Sequence, residues 1–319
     1  MNENEQVQSI QLTAVYDIAD LLTGFSLISV SVNHSASEIY LLAVEEPIDY
    51  RIHKSGASFP KLKVETPQIF VVYRLNQYGF ERIEIPKQTW NYHFVQPLPN
   101  DELLLVCSRC AYRGYGDFDL NGNVFGVDGV LKRSFLLGDG IQDVQTTADG
   151  RIWTGYFDEG VFGNYGWKQS IGATGLVLWD GIGNKLYEYS PVGSLDYIID
   201  CYALNVTSNQ EVWCCYYTEF PLVRLQNQAV IANWNSRVSG SDGFAVWKDF
   251  VLFRGGYKDH DQYVLCQLHD REEMSVKARY EFIDEDGQRV EADHFAVRGS
   301  VFHLVQNNKT YKLDMRSLV

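Results

Sequence analysis

The sequence predicts an all-β chain folded as a single domain, a six-bladed β-propeller of four-stranded antiparallel blades. Three observations predict it. A phrase made of an apolar stretch, a tight polar turn and an aromatic or β-branched stretch returns six times, beginning at Ser29, His93, Asp143, Cys201, Gly243 and His294. A strand-only unit that recurs at roughly 40 to 65 residues has the spacing of propeller blades. Two further apolar runs follow the repeated pair in five units, whereas the sixth ends one strand short and an alternating segment at the N-terminus is unclaimed.

Taken in order, the first blade (about 22–88) reads SVSV, EIYLLAV, a long insertion over 44–66, then IFVVYRLN and GFERIEIP. The second (89–138) reads HFVQPL, ELLLVCS, NVFGVD and VLKRSFLL, with Asp128-Gly129 as a two-residue hairpin signal. The third (139–192) reads DVQTTA, RIWTGY, GLVLWD and NKLYEYS, and the fourth (193–236) CYALNV, EVWCCYY, FPLVRLQ and QAVIANW. The fifth (237–290) reads GFAVW, FVLFRGG, YVLCQLH and SVKARYEFI. The sixth (291–319) supplies HFAVRG, SVFHLVQ and TYKLDM, and the period-2 segment QSIQLTAVYD over 8–17 is expected to complete it and close the ring. Closure of this kind removes exposed strand edges. YDIADLLTG is expected to form at most a turn or two, and no segment reads as a strong helix.

A formal charge of −14 argues against nucleic acid, whose recognition rests on Lys and Arg neutralising phosphates, and against anionic membrane surfaces. The expected partner is a protein or a polar small molecule, with cationic ligands favoured. The polar N-terminus lacks the basic and apolar regions of a secretory signal, so a cytoplasmic location is expected, with the six cysteines as thiols.

The phrases ADGRIWTGY in the third blade and SNQEVWCCYY in the fourth resemble the repeats of six-bladed propellers of the NHL, gluconolactonase-like and TolB-like kind, and the D-G-x-I/L-W-x-G repeats of bacterial sensor propellers. The resemblance implies the fold. Through the gluconolactonase-like members it also brings in one enzymatic alternative, a metal-dependent lactonase or esterase with a divalent ion (Ca, Mg or Mn) held at the channel mouth by Glu, Asn and Asp of different blades.

Aligning the repeats on FAV (Phe244 to Val246, Phe295 to Val297) and YAL (Tyr202 to Leu204) places Asp242, Asp293 and Asp200 at one repeat position. Asp143 and Asn91 fall there in the third and second blades. The five form an expected ring at one mouth of the channel. It reads either as a cation site or as a set of turn-capping side chains. No Glu occupies the aligned position, a departure from the lactonase pattern. Loops between second and third strands open on the same face and concentrate Asp158, Glu159, Glu219, Asp259 and Asp261 beside Arg109, Arg113 and many tyrosines. This acidic, tyrosine-rich face is the expected ligand site. His260, between two aspartates, is the candidate general base if the chain is an enzyme.

Two motifs point to metals less well than their spacing suggests. Asp117, Asp119, Asn121, Gly122 and Asp128 match an EF-hand loop, but the closing bidentate Glu and the flanking helices are missing. Cys107 and Cys110 have zinc-ligand spacing, while the second pair, Cys214 and Cys215, is adjacent. No G-x-S-x-G, Walker or HExxH motif occurs. The sequence therefore favours a non-catalytic binding propeller over the metal-dependent hydrolase.

Overall fold

The structure, a computed structural model, describes residues 6–48, 50–52, 58–270 and 272–319. Residues 49 and 53–57 of the first-blade insertion lie outside the described residues. Six sheets radiate from a central channel, and in each the chain runs outward strand by strand. The innermost strands are Ser26–Val32, Phe94–Leu98, Ile141–Thr146, Asp200–Val206, Phe244–Trp247 and His294–Arg298. Neighbouring blades pack face to face, so the core is divided into six hydrophobic clusters, one in each gap between blades. This is why the strands read as apolar on both faces: both lie against a neighbouring blade.

The N-terminal segment closes the ring, but it is shared between two blades. Ala14–Asp17 pairs antiparallel with Lys309–Asp314 and completes the sixth blade. Val7–Gln11 instead runs parallel to Met274–Ile283, as a fifth strand on the fifth blade. The break falls where Leu12, buried with Ile10 and Ala14 packed around it, enters the cluster between those two blades. One apolar side chain thus decides where a single alternating stretch divides.

The inner strands are laced together by side-chain amides. Gln96 Oε1 accepts the Thr146 N–H at 3.1 Å, and Gln145 brackets the next strand, donating to the Leu204 carbonyl at 2.8 Å and accepting from the Val206 N–H at 2.9 Å. Asn205 continues the belt, donating to the carbonyls of Phe244 (2.9 Å) and Gly299 (3.0 Å) and accepting from the Gly299 N–H (2.8 Å). Arg298 crosses from the sixth blade and donates to the carbonyls of Val206 at 2.7 Å and Thr146 at 2.9 Å. Five blades, the second to the sixth, are thereby tied at one end of the channel, and the arginine forms its floor.

Candidate functional site

The opposite end is open. Strand order puts the loops between second and third strands at this mouth, where they make a cavity of about 500 Å³ lined by His93, Ser108, Arg109, Gln142, Asp158 and Glu159, among others. Ser29, Phe94 and Gln142 are shared with a narrower cavity of about 290 Å³ that descends the channel to Arg298. Arg109 is buried among the loops. It holds Asp139 through two hydrogen bonds of 2.9 and 3.0 Å and Glu159 at 2.5 Å, with the rings of Tyr165 and Phe157 over its guanidinium. Glu159 reaches it from a short helix, Asp158–Phe162, seated directly on the 139–140 turn. A Cβ at Gly140 would lie 2.3 Å from the Gly160 Cα, so this approach needs glycine on both sides. Burial pushes the Asp139 carboxyl up, against the pull of Arg109. His93 accepts the Ser108 N–H through Nδ1, and burial lowers it to about 4, so its ring is neutral.

The five residues of the expected ring do not form one tier. Asp143 pairs with Gly155 next to Ile141–Tyr156, and Ala203 pairs with Cys215 next to Cys201–Tyr216, each after the same bulge. Asp143 is therefore the counterpart of Ala203 and sits deeper than Asp200, because counted back from the inner hairpin turns it lies three residues nearer the turn. Asp242 and Asp293 are true counterparts, since Phe244–Phe253 and Phe295–Leu304 are equivalent pairs. Asn91 turns away from the channel and donates to the Lys61 carbonyl at 2.5 Å. Asp143, Asp242 and Asp293 share the channel cavity. Among the described residues no three His, Cys, Asp or Glu side chains are grouped to hold a metal ion.

Each carboxylate is treated differently by its surroundings. Burial raises Asp143 to about 6, partly offset by Arg298, and burial together with the charge of Asp158 raises Asp200 to about 6. Burial also raises Asp242, though Arg254 binds it at 2.6 Å and His260 Nδ1 stands 3.6 Å away. Asp261 meets the same Arg254 at 3.1 Å, and Asp259 meets Arg289 at 2.7 Å. Arg113 pairs with Asp117 and Asp119, and Glu219 is exposed. The loop acids named from the sequence are thus mostly spent on local arginines, with Asp158 and Glu219 facing solvent. Arg254, Arg289 and Arg298, which do this balancing, were not singled out by the sequence. The hairpin 242–254 offered a local clue to the first.

The EF-hand-like residues do not converge. Asp117 and Asp119 hold Arg113, Asn121 bridges the Cys107 and Gly138 carbonyls, and Asp128 caps its own hairpin turn at Val130. All six cysteines are buried and free. Residues 170–313 match the model of the YxzG family. That stretch runs from the end of the third blade's long loop into the third strand of the sixth blade. No curated protein matches the sequence. Among solved structures the chain is similar to Hsv2 of Kluyveromyces lactis at 10% identity, over 91% of this chain and 74% of that one, with a TM-score of 0.49. It is similar to the Cps50 (Swd1) β-propeller domain of Myceliophteria thermophila at 10% identity, over 91% and 84%, with a TM-score of 0.48. U3-55K aligns over 91% and 95% at 8% identity, with a TM-score of 0.46.

Proposed function

We propose that this propeller is a non-catalytic binding module that receives its partner at the open mouth. One observation carries the reading: the channel is floored by Arg298 and opens at the other end, and of the three aspartates that line it, Asp242 is the one held in an ion pair among the described residues. Around the opening, Tyr115, Phe162 and Tyr257 are exposed on the same loops, and Tyr217 is exposed at the strand end beside them. Large exposed aromatics beside a polar cavity suit a protein surface that inserts one polar group. The candidate base His260 lies beside Asp242 and the Gly255 carbonyl, and neither of these contacts is a nucleophile it could activate. The gluconolactonase-like alternative requires a cation that Arg254 already replaces at Asp242.

A pull-down with the purified chain and a Phe162→Ser/Tyr257→Ser double variant tests the reading. A partner retained by the first and lost by the second is expected. Turnover of a lactone or ester series that vanishes in Asp143→Asn would overturn it.

A further inference from the structure

We propose that the channel takes an alkyl ammonium group, supplied either by a lysine side chain of the partner or by a free aliphatic amine. This rests on the reading of the propeller as a binding module and gives its ligand a chemistry. The first support is charge. Three carboxylates, of Asp143, Asp242 and Asp293, line the cavity of about 290 Å³. Arg254 balances Asp242. Among the described residues Arg298 is the one cation acting on Asp143; its terminal nitrogens are bonded to the Val206 and Thr146 carbonyls, and its Nε has no partner. Asp293 accepts only a backbone N–H, that of Asn307 at 3.1 Å. Arg254 is shared between Asp242 and Asp261, so Asp143, Asp242, Asp261 and Asp293 against Arg254 and Arg298 leave the cavity short of positive charge, and a desolvated carboxylate gains most from an opposite charge brought next to it.

The second support is independent of charge. Ser31 is 6% exposed and lies in the cavity wall, and its Oγ has no hydrogen-bond partner among the described residues. Ser29 Oγ, two residues nearer the mouth on the same strand, is also unpartnered. Buried hydroxyls left unpaired are costly, and most native ones find a partner. An ammonium has three N–H donors and no acceptor, so it suits a wall that offers carboxylate and hydroxyl oxygens. Phe94, Tyr202 and Phe295 line the same cavity and give it apolar wall that can cover an alkyl chain.

Shape narrows the class further. The strand from His294 to Arg298 spans the depth of the cavity, about 13 Å at the rise of an extended chain. A volume of about 290 Å³ is at the lower limit for small-molecule sites. A long, narrow space with carboxylates at two depths admits an unbranched amine and excludes a folded peptide. Anions are repelled by the walls.

Calorimetric titration with n-pentylamine, 1,5-diaminopentane and Nα-acetyl-lysine methylamide tests the proposal, with 1-pentanol and hexanoate as neutral and anionic probes. Saturable binding of an amine is expected, at least tenfold weaker in Asp143→Asn and in Ser31→Ala, with no binding of the alcohol or the acid. The exposed Asp293→Asn variant carries the same test at a position where folding is not at stake and should weaken binding severalfold. Saturation by the lysine derivative and not by the diamine assigns the group to a partner's side chain, and the reverse assigns it to a free amine. Absence of saturable amine binding, or amine affinity unchanged in all three variants, overturns the proposal. If it fails while the Phe162→Ser/Tyr257→Ser variant still loses a partner, the binding-module reading stands without it.

Discussion

The floor and the mouth of the channel are lined by the same six strands, yet they satisfy their polar groups in opposite ways. At the floor, Gln96, Gln145, Asn205 and Arg298 bond to backbone of neighbouring blades. At the mouth, Asp200 and Asp293 have no ion-pair partner among the described residues, and Asp143 faces a guanidinium whose terminal nitrogens are bonded elsewhere. Polar groups that bond inward fix the geometry of the ring. Those that do not are available to whatever enters from outside. The difference explains why a propeller can hold its blades in register without disturbing the end that binds.

Breaking the floor should have the largest effect. In Arg298→Met two buried carbonyls, of Thr146 and Val206, lose their donors. Each costs about 1 to 3 kcal/mol when left unpaired, so urea unfolding should show a loss of about 3 kcal/mol with an unchanged m-value. Asn205→Ala removes a smaller clamp, the bonds to Phe244 and Gly299, and about 2 kcal/mol is expected from the same measurement. Asn205→Asp sharpens this result. It keeps the acceptor for the Gly299 N–H but turns a carboxylate oxygen toward two carbonyls, and it should be less stable than Asn205→Ala. A floor variant as stable as the parent chain would show that the belt is incidental to ring integrity.

Much of the fold was legible because its signals are local. Strand alternation, the turns at Asp128-Gly129 and Asp149-Gly150, and the repeated pair of inner strands are all read within a few residues. Division of the N-terminal segment was not legible, since it depends on Leu12 finding a gap between two blades whose strands come from the far end of the chain. The site was legible in part. Asp242 and Asp293 were correctly aligned because the FAV triplet sets both inner hairpins in one register, whereas Asp143 lies three residues nearer its hairpin turn than Asp200 and was aligned without that turn as the anchor. Arg298 acts on Thr146, 152 residues away, so no spacing rule could have paired them.

The smallest effect expected is a gain, and it carries the comparison to the mouth. Asp143 has its carboxyl raised to about 6 by burial, from an ordinary value near 3.8. Between those values the folded chain holds a proton that the unfolded chain has released, so stability falls as pH rises through that window. Above it the penalty is constant. Asp143→Asn removes the ionisable group and should stabilise the protein at pH 7.5 by about 1 to 2 kcal/mol, allowing for the solvent contact that remains. Below pH 4, where both states of the parent chain are protonated, the difference should vanish. Chemical denaturation of both proteins at several pH values between 4 and 8 measures the slope. A gain independent of pH would mean that asparagine improves packing without relieving a charge. A loss at pH 7.5 would mean that Asp143 is held by Arg298 as firmly as the floor is, which would erase the distinction between the two ends of the channel.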